Sequence, residues 1–571
     1  MMGITKNEYT DTTCLRTWTD EQLTALCAEL RWTIINYCAA KGGHLAANLG
    51  AVELTVAMHA AGLLDNVELC FDGAHAVYAH KCLMGKWALF DDAARRHELH
   101  VGVNLPDGDQ VNAGFIGSCG ALQGRSAVSG KRPVIVVGDG ALGNGVLLQA
   151  LNVMATSTHP PIVVLNDNAH ALMDNVGGLY DKLRTSAGNI VDAMGYHRIL
   201  VTDGHNVGLL RTRFAEAMAY NGPVCVHVYT VKGKGFPPAE ADPTHWHCVP
   251  PFDMLTARQA PVNDAHVVID AVADEVRRAV AAGVDVRAIN TGLVDTGLPE
   301  LAEELGDRFV DVGIAEEQAA YTAVGMATLG AHVVIGTHAL YAQRMGSVLM
   351  NLGILNHFPD KPVNVCILAC DAAVRADNYL QMGLGDTQVL GNFPGGWVCQ
   401  PTTLNELHAA MRYTLTHDMG PVLMRLQVEM PVGSAVEVTS PGFKVVRRGN
   451  DGTCIVACGP LLDAVGREAA EMLDATLVNP LFAGVMDETT MTELIVDHDV
   501  FVLLENGFTR GGVCQPIATW LAAHGRKATV LGVDKIDFRT FTPTDNAGVY
   551  ADNGLTADNV VATVHQLRTV Q

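Results

Sequence analysis

Apolar residues along this chain gather in short, nearly unbroken β-branched runs. Longer stretches with helix-like spacing of apolar positions separate them. The runs are "RPVIVV", "PPIVVL" and "GPVCVHVYTV" in the first half, then "AHVVIGT", "KPVNVCILA", "GPVLMRL", "TCIVAC", "DVFVLLEN" and "KATVLGV". Strand-like runs alternating with helical ones predict an α/β protein with mostly parallel sheets. Two proline-bearing junctions, "CVPPFDMLTARQAPVND" at 248–264 and "EMPVGSAVEVTSPGF" at 429–443, interrupt the alternation. They predict three consecutive α/β units at 1–255, 280–430 and 444–571, with linkers at 256–279 and 431–443.

Length agrees with that division, because 571 residues exceed what one core organises. Hydrophobic residues at 49% and charged ones at 17% describe a compact globular chain. The formal charge of −23 argues against nucleic-acid or anionic-membrane binding, though a pocket can still be locally positive. The first residues lack the apolar core of a signal peptide, and the longer apolar runs are broken by Gly, Asn, Asp or His, so no membrane span is expected. Fourteen cysteines without a C-x-x-C read as buried free thiols, which points to the cytoplasm.

The chemistry concentrates where two runs stop. "VIVVGDGALGNG" at 134–145 contains a G-x-G-x-x-G, and the helix that follows would favour an anion at its N-terminus. A dinucleotide loop uses the same physics, but here Asp139 stands between the first two glycines. A carboxylate beside a diphosphate repels it unless a cation lies between them. Mg²⁺ resolves the conflict, since it takes hard oxygens from protein and phosphate together. Asn168 in "LNDNAHALMDN" follows 168 − 139 = 29 residues later, one crossover on, and both strands would end at the ligand-binding edge of the sheet. GDG alone is as readily a tight turn; GDG with NDN at this spacing is specific.

These residues, with "GGHLAANLGAVELTVAMH" (42–59), "FDGAHAVYAHK" (71–81), "KGKGFPPAEADPTHWHCVPPFD" (232–253), "DVGIAEEQAA" (311–320), "YAQRM" (341–345) and "LENGFTRGG" (504–512), resemble the thiamine diphosphate (ThDP)-dependent transketolase family, within it most closely the 1-deoxy-D-xylulose-5-phosphate synthases. The resemblance spans nearly the whole chain. It implies a ThDP diphosphate and Mg²⁺ domain, a pyrimidine-binding domain and a transketolase C-terminal-like domain, in a homodimer. It makes Asp139, Asn168 and the His170 carbonyl the metal ligands, and Gly140 and Ala141 donors to diphosphate. Gly114, Phe115 and Ile116 would also line the cofactor, as would Phe236 in place of a family tyrosine. Glu316 would hydrogen-bond the aminopyrimidine ring and Tyr341 would stack on it. His44, His75 and His247 would line the reaction centre, with His75 also at the cofactor and His44 at the substrate. His338, Arg344, Asp377, Gln381 and Arg425 would face substrate. ThDP carries the hard step through its C2 carbanion. A carboxylate promoting the imino tautomer that takes the C2 proton explains the need for one buried glutamate. Taken singly, Glu316 reads as a solvated helix-start residue, each histidine as structural, and "HWH" as a weak metal pair.

The departures from the family fall on the acceptor side. Cys370 stands at the arginine of the synthase D-R-A-G, Gln381 at the histidine of D-G-x-T-H, and Val428 at the second arginine of R-Y-P-R-G. Each charge-assisted bond to a phosphate is worth roughly 1.5–3 kcal/mol. The expectation is therefore a working ThDP enzyme with an altered acceptor, phosphate binding surviving only if Arg344, Arg375 or Arg425 is re-aimed. It would move a two-carbon unit from a keto acid (pyruvate) or a ketose to an aldehyde. The alternatives are a lyase or decarboxylase passing the same enamine to a proton, and an idle ThDP-fold binding protein.

Overall fold

A computed structural model describes residues 12–73, 75–92, 115–185, 189–260, 265–355, 363–372, 383–391, 395–536 and 546–569. Contacts divide the chain into two units, Met1–Val262 and Asn263–Gln571. The mostly parallel α/β architecture expected from the runs is present in both.

The first unit is built on a five-stranded sheet. Its strands are β1 (Glu68–Phe71), β2 (Pro133–Gly138), β3 (Ile162–Asp167), β4 (His197–Val201) and β5 (Val224–Tyr229). They lie in the order β1-β2-β3-β5-β4 and every pair is parallel. Val134 and Val136 of β2 join one core cluster, while Ile135 and Val137 join another on the opposite face. A strand buried on both faces has no polar alternation to show, which is why "RPVIVV" reads as a continuous run. Helix α1 (Asp20–Lys41) opens with a capping box between Thr19 and Gln22, two orphan backbone donors being satisfied at once. Helix α2 (Gly145–Met154) starts behind the β2 loop, where the Asn144 side chain accepts from the N–H groups of Val146 and Leu147.

The second unit carries two sheets. Helix α3 (Ala265–Ala281) occupies most of the segment expected as a linker at 256–279. That expectation is corrected here: Val268, Val272, Val276 and Ala279 recur at helical spacing and are buried. The seven-stranded sheet contains β6 (Val286–Asn290), β7 (Phe309–Asp311), β8 (His332–His338), β9 (Val365–Cys370), β10 (Trp397–Cys399) and β11 (Val422–Arg425), and its parallel part runs β10-β11-β9-β8-β6-β7. Its seventh strand comes from later in the chain. The five-stranded sheet contains β12 (Lys444–Arg447), β13 (Thr453–Ala457), β14 (Thr476–Asn479), β16 (Val500–Leu504) and β17 (Lys527–Leu531), in the order β12-β14-β13-β16-β17 with β12 antiparallel. Between β14 and β16 in the chain, the two-residue strand β15 (Phe482–Ala483) belongs to the seven-stranded sheet instead, where it pairs antiparallel with β10. Helix α4 (Glu316–Ala327) follows β7, and helix α5 (Cys514–Ala523) follows β16.

Candidate active site

In the first unit, Gly138 at the end of β2 is level with Asn166 of β3, so Asp139 and Asn168 leave the same sheet edge side by side. Asp139 is 1% exposed. Its Oδ2 accepts from Asn175 Nδ2 at 2.7 Å, and its Oδ1 has only a long 3.4 Å bond from the Asn168 N–H. Burial, and then the neighbouring Asp167 carboxylate, push Asp139 up to about 7. Asp167 meets the same burial penalty. A 2.8 Å bond with His227 Nε2 and the Arg184 guanidinium nevertheless hold it below the usual carboxylate range. Among the described residues no cation is hydrogen-bonded to Asp139, and a bound metal would supply one in contact.

The surrounding backbone is shaped for close approach. A Cβ on Gly140 would lie 2.5 Å from the Ala171 Cβ and 2.8 Å from its Cα, so only glycine fits. Tyr180 clamps the turn: its hydroxyl accepts from the Gly143 N–H at 2.9 Å and donates to the Gly140 carbonyl at 3.0 Å. Ala169 sits at φ +66°, which costs an L-residue roughly 1–2 kcal/mol, and this strained residue links Asn168 to His170. The His170 N–H donates to Asn168 Oδ1 at 3.1 Å. These residues suit a diphosphate held through a divalent metal: a buried, underpaired carboxylate beside an amide, and a glycine turn pressed close to the next loop.

His44, His75 and His247 come together, with ring centroids 4.4 Å apart for His44–His75, 5.6 Å for His44–His247 and 5.7 Å for His75–His247. Burial holds His247 well below the ordinary histidine range, with Lys232 and the other two rings contributing. Its Nδ1 is shielded from solvent and has no hydrogen-bond partner. Gly114 lies outside the described residues. Phe115 and Ile116 are half-buried, and the turn they enter is anchored by Asp72, which accepts from the Gly117 and Cys119 N–H groups at 2.9 Å each. Phe236 is 8% exposed and packs against Trp246 and Phe252, at 5.1 and 5.6 Å between ring centroids.

Sequence reasoning missed three residues of this region. Asn48 is 1% exposed, and its Nδ2 donates to the carbonyls of both His44 (2.6 Å) and His75 (2.9 Å), tying the two histidine segments together. Asn175 holds Asp139 while its own Oδ1 is buried without a partner. Lys232 is 4% exposed, donates to the Ala171 carbonyl, and is lowered to about 8 by burial, partly offset by attraction to Asp139. All three stand inside the quoted motifs; polar types in those apolar settings were the available signal.

In the second unit, Glu316 is the first residue of α4 and is 3% exposed. Burial raises it to about 7, against a lowering by its own backbone hydrogen bond and by the charge of Arg344. Its Oε2 is buried with no partner, as a carboxylate awaiting a donor such as an aminopyrimidine would be. His338 ends β8 with Nε2 at 2.9 and 3.0 Å from the two oxygens of Asp295. Its ring lies parallel to Tyr341, 12° between planes and 5.9 Å between centroids. Asp377 and Gln381 lie outside the described residues.

Arg425 corrects an expectation. It was expected to face substrate, but it is 2% exposed and the protein takes up its guanidinium on all sides. Nε donates to Asp386 Oδ2 at 2.7 Å; Nη1 donates to Gln400 Oε1 and the Asn506 carbonyl at 2.8 Å each; Nη2 donates to the Gly383 carbonyl at 2.7 Å and Asp386 Oδ1 at 3.0 Å. A guanidinium has five N–H donors, and all five directions are used. Arg425 is a structural cation. Cys370, at the end of β9, is also buried and uncharged, since burial pushes its thiol well up.

Three family models match the chain. They are 1-deoxy-D-xylulose-5-phosphate synthase over residues 7–190, the transketolase pyrimidine binding domain over 265–430, and the transketolase C-terminal domain over 443–560. Among curated relatives, a 1-deoxy-D-xylulose-5-phosphate synthase of Myxococcus xanthus is 32% identical and covers 96% of each chain. Enzymes of the same name from Lachnoclostridium phytofermentans (29% identical, 88% of this chain and 89% of the relative) and Erwinia tasmaniensis (28%, 96% and 95%) are also similar.

Proposed function

The chain belongs to the 1-deoxy-D-xylulose-5-phosphate synthase family, and from that premise we propose that it joins a two-carbon unit from pyruvate to an aldehyde whose phosphate, if it carries one, is not held as in the relatives. The protein is a ThDP-dependent transferase that works with a divalent metal. We read that metal as Mg²⁺, carried by Asp139, Asn168 and the His170 carbonyl, with Gly140 and Ala141 on the diphosphate. Bound ThDP supplies a nucleophilic C2 and stabilises the carbanion that follows. Glu316 would accept a hydrogen bond from the pyrimidine and so promote C2 deprotonation. Tyr341 would stack on the ring, and the three histidines would handle protons at the reacting carbonyl.

The observation that carries the altered acceptor is the pairing of Cys370 with Arg425. One position has lost its charge, and the other has its charge fully engaged by protein groups. The test compares kcat/KM for glyceraldehyde 3-phosphate with that for neutral and longer-chain aldehydes, using pyruvate and ketose donors. We expect glyceraldehyde 3-phosphate to be disfavoured by at least about a hundredfold relative to the best acceptor, the lower end of the worth of two lost charge-assisted bonds. A clear preference for glyceraldehyde 3-phosphate would overturn the reading. Carbon dioxide release at full rate without any aldehyde would instead favour the lyase alternative.

We further propose a homodimer, to be checked by sedimentation at micromolar concentration. We propose the cytoplasm as its compartment, which suits fourteen free cysteines. Among the described residues no helix is long and apolar enough to cross a membrane.

A further inference from the structure

His44, His75 and His247 offer ring nitrogens that all lie within 4.8 Å of one another. We propose that these three imidazoles form a second metal site, selective for a borderline dication of the Zn²⁺ type and separate in chemistry from the oxygen site at Asp139 and Asn168. Three nitrogen ligands with one open position is a common zinc arrangement, whereas Mg²⁺ prefers oxygen. Zinc–nitrogen bonds of about 2.0–2.1 Å place tetrahedral ligand atoms roughly 3.4 Å apart, and because the ring nitrogens all lie within 4.8 Å of one another, no pair has more than about 1.4 Å to close. Rotation of the imidazole rings about their side-chain torsions is the motion that would close that gap.

The setting favours such a ligand. The Nδ1 of His247 is buried and has no partner, so a metal there would satisfy an atom that otherwise carries a desolvation cost. Asn48 fixes the backbones of His44 and His75 through their carbonyls, which pre-arranges two of the three ligands. Burial keeps His247 neutral at pH 7, the form a metal needs. The opposing charge is the ammonium of Lys232, whose own lowering to about 8 shows how little water it has. Loading this site would occupy imidazoles assigned above to the reaction centre, so Zn²⁺ would act as an inhibitor. That consequence rests on the proposed function; the binding itself does not.

Cobalt provides the test, because Co²⁺ in a tetrahedral nitrogen site absorbs visible light far more strongly than Co²⁺ in an octahedral oxygen site. The full-length protein loaded with ThDP and Mg²⁺ is titrated with Co²⁺. The expected result is an intense visible band saturating at one equivalent and erased by Zn²⁺. His247→Gln and, separately, His75→Gln should each weaken the band-forming affinity at least tenfold, with thermal melts establishing that the variants fold. Asp139→Asn, which removes the oxygen site, should keep the band. No intense band in the parent protein would overturn the proposal. So would a band that survives both histidine substitutions but disappears with Asp139→Asn. Zinc binding without inhibition would leave the site standing and count against the proposed role of the histidines.

Discussion

Glu316 and Arg425 are both buried charged residues of the second unit, at 3% and 2% exposure, and they are treated in opposite ways. Arg425 spends every donor on protein acceptors and is ion-paired with Asp386. Glu316 keeps one oxygen without a partner and is raised to about 7. The first unit repeats the contrast on adjacent strands, where Asp167 has His227 and Arg184 while Asp139 has an amide and a long N–H bond. Arg425 and Asp167 are charges that the fold itself satisfies, whereas Asp139 and Glu316 are left costly and underpaired, as groups of a binding site often are.

Asp139→Ala gives the largest way to break this contrast. It should abolish saturable ThDP binding in calorimetry with Mg²⁺, as should chelation of the metal. Unchanged affinity after either treatment would remove the metal assignment. Glu316→Gln should fold and still bind ThDP, yet slow C2 proton exchange by about a hundredfold or more. Exchange by NMR at the parent rate would mean that the open oxygen serves another purpose.

Arg425→Ala examines the other side of the comparison. It strands Asp386 without its cation, and we expect a loss of about 3–5 kcal/mol in unfolding free energy. Asp386→Asn in the same chain should recover part of that loss. A stable Arg425→Ala protein with only a raised KM for a phosphorylated aldehyde would restore Arg425 to the substrate site.

Glu505 sharpens the comparison through pH. It is fully buried, raised by that burial to about 7, and has one oxygen, Oε1, without a partner. Between pH 4.5 and 7 the folded state keeps a proton that the unfolded state has released, so stability falls as pH rises and the penalty is complete above 7. Glu505→Gln should therefore be more stable than the parent at pH 8, by about 3 kcal/mol, and equal to it near pH 4.5. Equal melting curves at pH 8 would show that Arg425 already compensates Glu505. The smallest expected effect is Lys232→Met, which should weaken ThDP binding by about tenfold, the worth of about one hydrogen bond.

Much of this protein is determined by local sequence. Continuous β-branched runs become parallel strands because both faces are covered, and GDG with Asn168 marks a sheet edge because strand ends at adjacent positions share that edge. Glu316 and the three histidines were legible through motif resemblance. The helix at 265–281 was hidden by its proximity to a proline-bearing junction, although its valines follow helical spacing. Tertiary structure alone decided the rest. That Phe482 and Ala483, lying in the chain between strands of one sheet, edge the other depends on contacts between segments far apart in the chain. That Asn48 ties two histidines, and that Arg425 is consumed by Asp386, Gln400, Gly383 and Asn506, depends on where distant acceptors come to rest. A sequence states that a residue is an arginine or a glutamate. Whether its charge is satisfied or left open is set by the groups folded around it.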